Sequence, residues 1–197
     1  MKALQLLAGP AARAHIAEHG LRPDDVRALA GAAGGPKWLG LQQLDRFLFG
    51  EWFVGRTAPL PTLGSSIGSW RFSLAAQADP VAAFKEFERA YLSQQYSDRP
   101  DAAEVSREAD RLLDGILADG GDAAVLAHPF LRPSIIPARC LGRTASEEPA
   151  RLKAGLAGLA AANAVGRHRL ARRLERVLFS HPEGPTPFYG APDAFTT

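Results

Sequence analysis

Gly64-Ser65-Ser66-Ile67-Gly68 is a G-x-S-x-G pentapeptide between an extended Pro59-Leu60-Pro61-Thr62-Leu63 run and a stretch with helical character. A serine on a sharp strand-to-helix turn is pushed into the open. The helix start behind it aims unpaired N–H groups at any negative charge that forms nearby. Gly64 and Gly68 suit such a turn because a side chain at either place would clash with it. The pattern predicts an elbow with Ser66 at its apex, carried from a strand ending near Ser65 into a helix over 66–78. A plain helix N-cap is the competing reading of Ser66.

Working outward, Val26 to Gly31 reads as a short buried strand, and Ala32-Ala33-Gly34-Gly35-Pro36-Lys37 follows it directly. An amphipathic run then starts at Trp38, with Leu39, Leu41, Leu44, Phe47 and Leu48 at helical spacing. Parallel strands bring the diglycine turn and the serine turn to one edge of a sheet, at the strands' carboxyl ends. One turn then supplies an attacking oxygen and the other the donors for an oxyanion. Those donors are the backbone N–H groups of Gly34, Gly35 and Lys37, since Pro36 has none. Gly34-Gly35 also reads as a tight connection without a ligand. The Lys37 side chain reads as a solvated charge or as a cation for a substrate phosphate.

The rest of the chain sets the frame. Its 197 residues, 46% hydrophobic and 22% charged, suit one domain with a real core, and a net charge of +2 argues against a nucleic-acid binder. Helices are expected over 10–19, from the Asp79-Pro80 cap with Val81, Phe84, Phe87, Tyr91 and Leu92 on one face, from the Asp101…Glu104 capping box, and over 147–177 with a break near Gly166. Strands are expected over 134–141 and 177–180. The pattern is an α/β fold, a small mainly parallel sheet flanked by helices in three layers. So few strands suggest a sheet that continues beyond this chain. Cys140 is the one cysteine, expected to be buried, and excludes an internal disulfide. No run reaches the roughly 18 apolar residues of a membrane span. A cytoplasmic protein is the default expectation.

Taken together, the two turns resemble those of the patatin-like phospholipase family. That family pairs a D-G-G-G-x-R-G oxyanion turn with a G-x-S-x-G elbow on a three-layer α/β sheet. On this resemblance Gly34 and Gly35 fall on the second and third family glycines, Lys37 on the basic position and Ser66 on the nucleophile. Ala32, Ala33 and Trp38 depart from the pattern. The resemblance spans about residues 26–78. It implies a serine acyl hydrolase acting on lipid or carboxyl esters through a Ser-Asp dyad and an acyl-enzyme, with no cofactor and no metal. The dyad Asp belongs to a later D-G-[GA] motif.

Asp119-Gly120-Gly121 spells that motif, but it follows Ser66 far sooner than in the family and ends a helical run. It reads better as a helix C-cap. The expectation is then a single domain over 1–197 that is the N-terminal portion of a longer hydrolase, with its Asp beyond Thr197, or a catalytically silent relative. A Ser-His-Asp esterase would need His128 or, better, His181. A nucleotide-binding P-loop at Gly31–Lys37 fails, because Pro36 and Trp38 stand where glycine and Ser/Thr are required. Lastly, Leu152 to Val165 is apolar and precedes Arg167, Arg169, Arg172, Arg173 and Arg176. The segment reads as a core helix followed by a solvated one, or as a peripheral contact with anionic lipid.

Overall fold

The computed structural model describes residues 5–184. The Pro- and Gly-rich tail and the N-terminal Lys2 lie outside the described residues. The fold is α/β. Strands β1 (Leu29–Gly31), β2 (Leu60–Gly64), β3 (Leu131–Ile135) and β6 (Phe179–Ser180) form a four-stranded sheet in the order β1-β2-β3-β6. The first three run parallel and β6 closes the edge antiparallel. The sheet is therefore mixed. A separate two-stranded arm pairs β4 (Ala138–Cys140) with β5 (Leu174–Arg176).

Helix α3 (Ile67–Ala75) lies on one face of the sheet. Alternation along β2 turns Leu60, Thr62 and Gly64 to that face, and all three are buried, while Pro61 and Leu63 on the other face are half-exposed. Helices α2 (Gln42–Phe47), α4 (Pro80–Leu92) and α5 (Ala102–Leu117) build outward over α3. Phe49, Phe53, Phe72, Phe84 and Phe87 fill the space between them, joined by Trp38, Leu74, Leu112 and Ile116. Helix α6 (Gly121–Ala127) leads into β3. The deep packing is on the α3 face of the sheet.

Local chemistry explains the helix starts. The Asp79 carboxylate accepts from the Ala82 amide at 2.9 Å, with Pro80 in the first turn. Asp101 caps α5 by accepting from the Glu104 amide at 2.7 Å. Glu104 does not return the bond; its carboxylate takes the Ser97 amide at 2.6 Å and the Ser97 hydroxyl at 2.7 Å. Phe84 and Phe87 are buried as the α4 pattern requires, but Leu92 at its end is exposed.

Three expectations are corrected. The 134–141 strand divides at Pro137 into β3 and β4, because β3 ends with the sheet and β4 leaves it to pair with β5. Cys140 on that arm is exposed, not buried. The 147–177 helix breaks at Gly166 as expected but does not resume as α-helix; α7 (Pro149–Val165) gives way to a 3₁₀ turn over Arg167–Arg172 and then to β5. Among the described residues no helix is long and apolar enough to cross a membrane.

Backbone meets backbone where α3 crosses the strand ends. A Cβ on Gly64 would sit 2.6 Å from the Ser69 Cα, one on Gly31 would sit 2.9 Å from the Gly68 carbonyl, and one on Gly68 would overlap the Gly31 carbonyl. None of these neighbours can rotate away. Gly68→Ala should therefore cost about 3 kcal/mol, the upper end for overpacking. Gly40→Ala, where an added Cβ meets nothing within 4 Å, should cost under about 1 kcal/mol. Urea unfolding of the two variants measures the contrast.

Candidate active site

Gly31 of β1 lies opposite Gly64 of β2, so the two strands stop level and their turns open on the same edge of the sheet. The turns are also joined directly: the Ser65 amide donates to the Gly31 carbonyl at 3.1 Å. On the other side, the Ile136 amide donates to the Gly64 carbonyl at 2.9 Å. The elbow is thus held between its neighbours on both flanks.

At its apex Ser66 has φ 52° and ψ −130°, a region that residues with a Cβ seldom adopt. Holding a non-glycine residue there costs about 1–3 kcal/mol. The strain is not repaid by a cap, because the Ser66 side chain makes no capping hydrogen bond. The residue is exposed, and its hydroxyl has no hydrogen-bond partner among the described residues. The N-cap reading of Ser66 is thereby set aside.

The first turn of α3 uses its own amides selectively. Gly68 donates to the Ser65 carbonyl at 3.0 Å and Ser69 to the Ser66 carbonyl at 2.8 Å. The Ile67 amide, next to Ser66 at the positive end of the helix, makes no such bond. It is a donor that the sequence reading missed, although the residue after the serine in a G-x-S-x-G turn is its normal source.

In the facing turn Gly34 has φ −176° and Gly35 φ 51°, and a 3₁₀ helix runs over Gly35–Gly40. Only Gly35 needs the freedom of glycine here. The Lys37 amide donates to the Gly34 carbonyl at 3.3 Å, which closes the turn and removes Lys37 from the free donors. Gly34 and Gly35 keep theirs. The exposed Lys37 side chain makes no ion pair among the described residues. Immediately after it, Trp38 is buried, with its ring 5.1 Å from Phe87 and 5.7 Å from Tyr91. This indole, at a position where the resembled family has glycine, anchors the diglycine turn in the core.

A second anchor ties the helices that follow the two turns. Asp45 of α2 is fully buried and receives both arms of Arg71 from α3, Nε at 2.7 Å and Nη2 at 2.6 Å. Arg71 sits five residues beyond Ser66, so this fork sets how far the two turns stand apart. Arg46 of α2 pairs in turn with Glu88 of α4.

None of the three candidate partners for Ser66 is positioned to act on it. Asp119 and Gly120 are both left-handed, ending α5 as a C-cap does. The D-G-G segment packs beside Gln77, whose Nε2 donates to the Gly121 carbonyl at 3.3 Å. Gln77 lies past the far end of α3, roughly 13 Å of helix away from the elbow. His181 and His128 lie toward the opposite edge of the sheet. His181 follows β6, which runs away from the Ser66 edge, and its Nδ1 accepts from the Glu183 amide at 3.1 Å. Its Nε2 therefore carries the proton and donates to the Leu126 carbonyl at 2.8 Å. His128 precedes β3, and its Nδ1 accepts from the Phe130 and Leu131 amides at 3.3 and 3.0 Å. The Ser-His-Asp alternative thus has no histidine at the serine.

No protein-family model, curated protein or solved structure matches the chain.

Two stability measurements follow from this geometry. Asp45→Asn leaves the Arg71 guanidinium half-buried without its anion, and should cost about 3 kcal/mol in chemical unfolding. Burial, with help from the Arg132 charge, lowers the His128 pKa from 6.5 to about 4. The unfolded chain then binds a proton that the folded one refuses, so the His128 contribution is complete above pH 6.5 and lost as pH falls toward 4. His128→Gln should flatten that part of the stability–pH curve.

Proposed function

We propose that this chain carries the nucleophile half of a serine acyl hydrolase of the patatin-like type, acting on lipid or carboxyl esters. The observation that supports it best is the strained, uncapped and exposed Ser66 beside a turn with free backbone donors. A serine needed only for structure would be expected to cap the helix, and a glycine would occupy this backbone without strain.

In this reading the Ser66 Oγ attacks the ester carbonyl carbon and passes its proton to a general base. The carbonyl oxygen becomes an oxyanion that the amides of Gly34, Gly35 and Ile67 stabilise. Collapse expels the alcohol, leaving an acyl-serine that water hydrolyses. One preorganised donor of this kind is worth about 10²–10³ in turnover. The base is a carboxylate supplied from outside the described residues, as the family's later Asp would be. Ser66 is a weak nucleophile without it. The unpartnered Ser66 hydroxyl therefore also supports a second reading, a patatin-like protein without activity of its own.

A fluorophosphonate probe separates the two, because it reacts with activated serines. Covalent labelling that disappears in Ser66→Ala supports the hydrolase; an unlabelled wild-type chain supports the silent relative. Ser66→Gly should abolish labelling as well and yet raise stability by about 1 kcal/mol, since glycine relieves the strained backbone. A higher melting temperature for that variant than for Ser66→Ala is the expected result.

A further inference from the structure

A second chemically distinct feature lies on the β4–β5 arm and stands independently of the esterase reading. A groove of about 560 Å³ opens between α7, the turn over Gly142–Ala145 and the 3₁₀ turn over Arg167–Arg172. Four arginines, Arg143, Arg169, Arg172 and Arg173, line it from separate parts of the chain. Gly158, Ala161, Ala162 and Val165 form its floor, at the i, i+3, i+4 and i+7 positions of one face of α7.

The walls are fixed in place. The Leu141 amide donates to the Arg173 carbonyl at 2.8 Å, and the Thr144 hydroxyl is held at 2.7 Å from the Leu141 carbonyl. The small floor residues admit the arginines closely; a Cβ on Gly158 would come 3.0 Å from Nη1 of Arg173. On α7 only Gly155 is fully buried, so this largely apolar helix is not a core element, and Val165 at the groove is 65% exposed.

Charge decides what such a groove can hold. Elsewhere among the described residues six arginines are matched with carboxylates, among them Arg46–Glu88, Arg71–Asp45, Arg132–Glu183 and Arg139–Glu175, while unpaired ones such as Arg27 and Arg99 stand singly at exposed sites. None of the four groove arginines makes an ion pair among the described residues. The nearest acid in sequence, Glu175, is already held by Arg139. Four arginines lining one groove without an ion-paired carboxylate raise the local potential, and the planar N–H fork of a guanidinium fits the oxygens of a phosphate.

We propose that this groove binds a phosphate group. The apolar floor beside the guanidiniums suits a phosphate carried on a lipid headgroup, and free phosphate shares the same chemistry.

Two binding measurements on the purified chain test this. The first is co-sedimentation with phosphatidylcholine vesicles, with and without phosphatidylglycerol. The second is titration with inorganic phosphate, followed by amide chemical shifts. Arg169→Gln combined with Arg172→Gln should weaken binding in the responding arm at least about tenfold. Arg27→Gln combined with Arg99→Gln removes the same charge from exposed sites elsewhere and should change it less than about twofold. Unchanged melting temperatures show that both double variants are folded. A response to inorganic phosphate identifies a soluble ligand, and a response to anionic vesicles alone identifies a membrane; either supports the site. The proposal is overturned by no response in either arm, by equal losses in the two double variants, or by binding to polyglutamate but not to phosphate.

Discussion

The molecule depends on one close approach: the first turn of α3 rests on the bare backbone at the ends of β1 and β2. Gly31, Gly64 and Gly68 come from three elements, and a side chain on any one of them would collide with main chain of another. This contact places the helix start directly over the sheet edge. It also leaves the chain only Ser65 and Ser66 in which to turn from strand to helix. The strained backbone at Ser66 follows from that economy of length. The apolar core contributes by holding α3 down, through Phe72 and Leu74, so that the turn cannot relax.

The facing turn is positioned by different forces. Its two glycines make few contacts of their own, and the turn takes its place from Trp38 on one side and from the Asp45–Arg71 fork on the other. A buried ion pair adds little net stability over a well-packed apolar pair, but once present it tolerates only one geometry. Here that geometry relates α2 to α3, and through them the diglycine turn to the elbow. Arg56 does comparable work below the sheet. It is buried and donates to the carbonyls of Pro23, Val26 and Ala58, tying the approach to β1 to the approach to β2. The site is held by backbone sterics, aromatic packing and charge, each acting on a different part of it.

Much of this was legible in the residues. The elbow was, because glycine at 64 and 68 around a serine has few other uses. The caps at Asp79 and Asp101 were, because a carboxylate before a helix has a local partner a few residues on. Other features were read wrongly where the deciding partner is distant in sequence. β5 looked helical because its neighbours are, and only pairing with β4 makes it a strand. Cys140 looked buried within an apolar run, but the arm that carries it leaves the core. Lys37 looked like a free donor, whereas the 3₁₀ turn consumes its amide. The Asp45–Arg71 pair had no local signal, since an acid on one amphipathic helix and a base on another reveal nothing about facing each other.

What the sequence determined by itself was local: the α/β character, the two glycine turns and their order, the helix caps, and the gathering of arginines after residue 166. These rest on backbone sterics and on hydrogen bonds that span a few residues, so adjacent letters suffice. Only the tertiary structure decided that Gly31 stops level with Gly64, that His128, His181 and Asp119 face away from Ser66, and that Arg143 joins Arg169, Arg172 and Arg173 around one groove. Those outcomes depend on strand register and on helix packing between segments far apart in the chain, where the energy is in the contact and not in either segment alone.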